Sequence, residues 1–359
     1  MNDDGPIVRP IEICSSVPSI NMALLQPKNH LGRGSFGQVI KASYDGEMVA
    51  MKVLDCEGDS YKKQFLNEIE QLYSLQHPNI IKVIGRCSGT TKLAFVMELM
   101  DNGSMEDILH RHLCYTYKTD HVISWARQCA DAVSFIHGKG LIHRDLKPNN
   151  LLLKNGFRVL KLCDFGTAGS LRTHMTNNLG SPSWMAPEVF MSQSYNDKCD
   201  VYSFGITLWE MVTRRRPFGA DDAPYTILWK ACSRPPTIYG ACTNVIMDLI
   251  ADCWAKEPKS RPSMRDVLEI LLELTKIFPN GFDPIVLPEN KPSQNKELVE
   301  AQKPSHLDTE FLDKIDPSLW PIRLGNLEEE DEGLYSEQVL TCKRLYELEN
   351  SLSESIKEK

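Results

Sequence analysis

The chain has 359 residues, 42% apolar and 25% charged, an ordinary globular composition with enough length for one large domain or two modest ones. The net charge of −8 sits wholly at one end: residues 285–359 hold 17 acidic against 9 basic side chains, so residues 1–284 are balanced. A balanced body with no clustered basic stripe excludes a nucleic-acid surface, and no apolar run approaches the ~20 residues that span a bilayer.

In chain order, residues 1–23 carry Pro6, Pro10 and Pro18 without periodicity and read as an irregular lead-in. Their first stretch, MNDDGPIVRP, lacks the apolar core of a secretory leader, so a cytoplasmic location is expected. From 24 to 97, short apolar runs such as EMVAMKV and KLAFV predict strands. One interruption, YKKQFLNEIEQLYSL, spaces Phe65, Ile69, Leu72 and Leu75 as a helix does. Beyond Met100 the period is helical, in SWARQCADAVSFIH, DVYSFGITLWEMV and VIMDLIADCW. The expected class is α+β with two lobes, a small β-rich one over 24–97 with one helix and a larger helical one over 101–278. Residues 285–330, with five Pro among Lys, Gln, Ser and Glu, read as a disordered linker. A short helix is expected over 334–356, where Leu345, Leu348 and Leu352 do not extend into a sustained heptad array. The 11 Cys show neither a CxxC pair nor a Cys/His zinc spacing and read as reduced thiols.

Four stretches carry chemistry. LGRGSFGQV sets Gly32, Gly34 and Gly37 in a G-x-G-x-x-G pattern whose bare backbone can approach phosphate oxygens. A dinucleotide loop would open a helix, but VIKA continues as a strand, so this is a hairpin tip. Lys52, among apolar neighbours in VAMKV, is costly to bury without a partner; Glu68 on the following helix can supply one, as part of a site or as an ordinary structural ion pair. LIHRDLKPNNLLL packs His143, Arg144, Asp145, Lys147, Asn149 and Asn150 between apolar runs, a density that function explains more readily than stability. Asp145 can accept a proton from a hydroxyl, Lys147 can neutralise a phosphoryl group, and Asn150 with Asp164 of LCDFG offers oxygens to a hard cation such as Mg²⁺.

In this order and spacing the glycine loop, VAMK, HRDLKPNN, DFG and APE resemble the eukaryotic protein kinases over about residues 25–278. THMTNNLGSPSWMAPEVF, VMEL, KLCDFGTA and TRRRPF resemble, more narrowly, the transforming-growth-factor-β-activated kinase family of MAP kinase kinase kinases. The resemblance implies a bilobal kinase fold and Ser/Thr phosphotransfer, Lys147 disfavouring a tyrosine kinase and Lys52, Asp145 and Asp164 disfavouring a catalytically weak pseudokinase scaffold. It implies that Leu31, Gly32, Arg33, Gly34, Ser35, Phe36, Gly37 and Val39 cover ATP, that Lys52 held by Glu68 grips its phosphates, and that Ala50, Met97, Glu98, Met100 and Leu152 surround the adenine. Asp145 and Lys147 serve the reacting hydroxyl, and Asn150 and Asp164 hold Mg²⁺. Glu188 is expected to pair with Arg261, and Trp184 to pack on the larger lobe. Thr173, Thr176 and Ser181 are the implied phosphorylation sites, with Thr167 behind them; Ser181 has a second reading, as a hydroxyl that helps Asp145 and Lys147 hold the substrate. The same resemblance implies MAP kinase kinases as substrates and dedicated adaptor proteins as partners. Cys163, next to Asp164, is expected to face the nucleotide with a thiol that nearby cations favour as thiolate.

Overall fold

The computed structural model describes residues 16–34, 37–55, 58–88, 92–165, 169–170, 181–191, 195–218 and 243–285. Its first lobe is a six-stranded sheet, in the order β1-β5-β6-β4-β3-β2, carrying one helix. The strands are β1 Ser19–Asn21, β2 Gln26–Gly34, β3 Gly37–Tyr44, β4 Glu47–Leu54, β5 Val83–Ser88 and β6 Ala94–Glu98, with α1 Asp59–Ser74 between β4 and β5. Alternation along β4 sorts its side chains. Val49, Met51 and Val53 join Ile20, Leu25, Ala42, Ala94 and Val96 in a small outer cluster. Ala50 and Leu54 join the main core with Phe65, Ile69 and Leu72 of α1, and Lys52 shares their face.

The irregular lead-in expected over 1–23 is corrected at its described end. Ser19–Asn21 runs parallel to β5 in the register Ser19↔Arg86, Ile20↔Cys87 and Asn21↔Ser88. Gly85 makes the approach possible, because a Cβ there would meet the Pro18 carbonyl at 2.7 Å and Ile20 at 2.8 Å. Val17 packs into the main core while Ile20 and Leu25 close the outer cluster, so the segment wraps the sheet edge and covers both faces. Three residues are too few to show a period of two, and Pro18 masked them.

The second lobe is built around α4 Lys198–Thr213, which is buried from Cys199 to Val212. Around it lie α2 Thr119–Gly138, the one-turn α3 Pro187–Phe190, α5 Asn244–Cys253 and α6 Met264–Ile277. Short strands carry the polar loops between the lobes: β7 Leu141–Ile142 pairs with β10 Gly169–Ser170, and β8 Leu151–Lys154 with β9 Val159–Leu162. Ser263 and Asp266 form a reciprocal capping box at the start of α6. Past α6, Phe278 is buried and Arg158 donates to the Phe282 carbonyl at 2.7 Å. The linker from 286 and the helix expected over 334–356 lie outside the described residues. Among the described residues no helix is long and apolar enough to cross a membrane.

The β1 segment is open to a direct stability test. Ile20→Ala, at a buried position, is expected to lower the unfolding free energy by about 2–4 kcal/mol. Leu24→Ala, at a side chain 60% exposed, is expected to change it by less than ~0.5 kcal/mol. Denaturant unfolding reads both, and equal effects would remove the strand from the packed domain.

Candidate functional site

Lys52 projects from β4 and Glu68 from α1, on the inward stripe shared with Phe65, Ile69 and Leu72. They meet at 2.6 Å, both more than nine-tenths buried, and Lys52 Nζ lies 3.5 Å from Asp164 Oδ1. Burial opposes the Lys52 ammonium, but the two carboxylates outweigh it and its pKa rises. Burial is also the largest influence on Glu68; together with the charge of Asp164 it outweighs the pull of Lys52 and raises the carboxyl to about 6. Lys52 is therefore held as the cation.

The loop after β7 is held from beneath by Asp200 of α4. Its Oδ2 accepts the His143 N–H and the His137 Nε2–H, and its Oδ1 the Arg144 N–H, each at 2.8 Å. Burial of Asp200 opposes its charge, yet these donors hold the carboxyl below its usual range. His143 donates from Nε2 to the Cys163 carbonyl at 3.0 Å and accepts the Asp145 N–H at Nδ1, at 3.4 Å. Arg144 and Asp164 both take left-handed backbone angles, φ 70° and 63°, a strain that only fixed surroundings maintain.

The loop presents Asp145 at the centre of a ring of donors. Lys147 Nζ reaches Asp145 Oδ2 at 2.7 Å, the Ser181 hydroxyl reaches Oδ1 at 3.1 Å, and Lys147 also donates to Ser181 Oγ. Asn150 spends its amide nitrogen on the Asp145 carbonyl at 2.7 Å and on Oδ2 at 3.0 Å, leaving its oxygen as the atom to offer a cation. Phe165 is buried edge-on to His143, with ring centroids 5.0 Å apart. This packing fixes the backbone beside Asp164.

The residues expected to surround the adenine lie above, near the junction of the lobes. Val39 and Leu152 are half-buried, Ala50 and Met97 are buried and paired across β4 and β6, and Met100 is buried at the lobe junction. The Glu98 side chain turns outward to Lys161 at 2.6 Å, and the Glu98 N–H is taken by the Lys82 carbonyl, so this residue can serve a base only through its own carbonyl. Leu31 is exposed, and Gly32, Arg33 and Gly34 lie at the open end of β2. Gly37 must be glycine, since a Cβ there would sit 1.9 Å from the Val53 carbonyl. Ser35, Phe36, Thr167, Thr173 and Thr176 lie outside the described residues.

The far end of the polar stretch is bolted down. Arg261, fully buried, forks onto Glu188 at 2.6 and 2.9 Å, and Trp184 donates to Glu210 Oε2 at 2.9 Å. Ser181 thus belongs to the Asp145 ring, as its second reading expects. The thiolate expected at Cys163 is corrected: burial first, then the charge of Asp164, push that thiol far up, against the pull of Lys52 and Lys147. Sequence reading missed His137, His110 and Glu210. Each sits on a helix without a motif of its own, and only tertiary packing brings it to a partner.

With known proteins the comparison is direct. Residues 25–271 match the family described as the protein kinase domain. The chain is 45% identical over 266 residues to human mitogen-activated protein kinase kinase kinase 7, covering 72% of this chain and 43% of that protein. A Drosophila melanogaster protein of the same name is 42% identical, over 70% of this chain and 37% of its own length. The Caenorhabditis elegans mitogen-activated protein kinase kinase kinase mom-4 is 35% identical, over 76% and 53%. The chain therefore spans about half or less of the length of these relatives.

The charge state of the pair can be read in solution. Glu68 is expected to titrate near pH 6, and Asp164→Asn to lower that midpoint by removing a like charge. Its folded pKa lies above the unfolded value of 4.5, so the stability linked to its proton is complete below about 4.5 and lost as pH rises through about 6. Carbon NMR of the labelled carboxyl checks this; an unshifted midpoint in Asp164→Asn contradicts the electrostatic account.

Proposed function

Since this chain belongs to the protein kinase domain family, we propose that it transfers the γ-phosphate of ATP to Ser or Thr of protein substrates, as a MAP kinase kinase kinase. The observation that carries the reading is the ring around Asp145. It places a carboxylate, a lysine ammonium and a hydroxyl within hydrogen-bond reach of one another, beside the Lys52–Glu68–Asp164 cluster. A scaffold that bound nucleotide without turnover would not require this second set of groups.

In this reading the protein's task is positioning and charge neutralisation, because the phosphoryl-transfer transition state is loose. Lys52, kept cationic and pointed by Glu68, grips the α- and β-phosphates. The strand pair β2–β3 covers them, and Val39, Ala50, Met97, Leu152 and the Glu98–Met100 backbone hold the adenine. Asp145 orients the substrate hydroxyl and takes its proton, while Lys147 neutralises charge on the group in transit. The oxygen donors of Asn150 and Asp164 fit a hard cation, and Mg²⁺ held there would supply further charge neutralisation on the phosphates. The resemblance that points to MAP kinase kinases as substrates also points to adaptor proteins, and the composition of residues 1–10 supports a cytoplasmic location.

The stretch from Asp164 to Glu188 is the regulatory segment in this reading. Thr176 is the first choice of switch site, with Thr173 beside it, and Arg144 next to Asp145 is placed to receive the added phosphate. Ser181 acts through its free hydroxyl, since a phosphate there would meet the Asp145 carboxylate at hydrogen-bond distance.

Two experiments test this. With ATP, Mg²⁺ and a MAP kinase kinase, phospho-amino-acid analysis is expected to show phosphoserine or phosphothreonine. Asp145→Asn is expected to lose about 10²–10⁴ in rate with an unchanged melting temperature. Lys52→Met and Asp164→Ala are expected to be inactive, and near-normal turnover by Asp145→Asn would sink the mechanism. After phosphatase treatment and re-incubation with ATP, Thr176→Ala is expected to recover slowly, while Ser181→Ala stays slow in either state. Parent-like activation of both variants would remove this segment as the switch.

A further inference from the structure

We propose that Asp55 is a positioning residue that braces the glycine-rich β2–β3 pair from its outer face, through Gln38 and Arg33, and so sets how tightly that pair covers the nucleotide phosphates. Asp55 stands one residue beyond β4, with its side chain 21% exposed. Its Oδ1 accepts Gln38 Nε2–H at 3.2 Å, and Arg33 Nη2 lies 3.9 Å from its Oδ2.

Register puts all three on one side of the sheet. Met51 and Val53 of β4 and Ala42 of β3 belong to the outer cluster, and alternation along each strand carries Asp55 and Gln38 onto that side. Arg33 stands directly opposite Gln38 across β2 and β3. Val39 and Lys52, paired across β3 and β4, face the other way, toward the nucleotide. Asp55 therefore acts on the nucleotide through the strands it holds.

The brace sits where the ladders end. Gly37 is opposite Leu54 on one side and Gly34 on the other. Here the backbones press together, since a Cβ on Gly37 would lie 1.9 Å from the Val53 carbonyl and 2.9 Å from the Asp55 nitrogen. Glycine permits that approach but brings the greatest backbone freedom, so an end built on Gly32, Gly34 and Gly37 needs a side-chain contact to stay down. Gln38 supplies it. The Arg33 pair, with its guanidinium side chain 76% exposed, adds a weaker hold that salt screens. Charge alone would act in the opposite direction: a carboxylate near this end repels phosphates, so deleting it would tighten ATP, whereas deleting a brace weakens ATP.

This inference rests on the kinase reading, and the experiment separates the two. Calorimetry on the full chain measures binding of ATP with Mg²⁺ and of adenosine, which has no phosphates to cover. Asp55→Ala is expected to weaken ATP about tenfold, the weight of one hydrogen bond to a charged group, and to leave adenosine within about twofold. Gln38→Glu sets a second carboxylate against Asp55 and is expected to do the same. Gln38→Glu combined with Asp55→Asn restores a donor and an acceptor at the parent's net charge, and is expected to bring ATP back to within about twofold of the parent. Hydrogen exchange across 37–41 is expected to quicken in Asp55→Ala, a readout that needs no nucleotide. A parent protein that binds neither ATP nor adenosine sinks the kinase reading and leaves the exchange arm to decide the brace. Parent-like or tighter ATP binding by Asp55→Ala, equal losses of ATP and adenosine, parent-like exchange, or no recovery in the double variant each overturns the inference.

Discussion

Everything at the site hangs from one buried carboxylate, Asp200. It receives two consecutive backbone N–H groups and an imidazole, three donors that repay the cost of burying its charge and leave its pKa depressed. With His143 and Arg144 held in this way, the loop can keep Arg144 in the left-handed region and deliver Asp145 to its donors. Because α4 is buried along nearly its whole length, Asp200 is a fixed point. The loop inherits that rigidity, as a site needing sub-ångström positioning requires.

The second lobe uses the same device three times. Asp200 holds the loop after β7, Glu210 holds Trp184 and His110, and Arg261 holds Glu188 while its guanidinium lies over the Tyr202 ring. In each case a buried charged group ties together segments far apart in the chain. For the loop after β7, which has no ladder of its own to satisfy its backbone N–H groups, Asp200 supplies the acceptor. The first lobe contributes one mobile-ended cation, Lys52, and immobilises it between Glu68 and Asp164.

Legibility in the sequence followed the density of polar groups. LIHRDLKPNNLLL and LCDFG stood out because so many donors and acceptors between apolar runs violate ordinary core composition. The helix over 61–75 and its Glu68 were readable from period alone. By contrast β1 was hidden, since a three-residue strand beside a proline shows no period and gains its place only from Gly85 across the sheet. Cys163 was misjudged for a related reason. Its place beside Asp164 suggested a pocket with Mg²⁺ and cationic groups near the thiol, but only packing shows that burial and Asp164 outweigh the pull of Lys52 and Lys147.

By itself, then, the sequence determined the lobe order, the inward face of each long element and the polar stretch that supplies Asp145, Lys147 and Asn150. Those depend on local period and on residue chemistry, and both are properties of a short window. Tertiary structure alone decided which partners met the carboxylates buried in α4. It joined Glu210 to both His110 and Trp184 and set His137 against Asp200, whereas the Glu188–Arg261 pair was already expected from the family resemblance. A carboxylate on a buried helix looks the same in sequence whatever it touches, because its energy is set by the donors that folding brings to it.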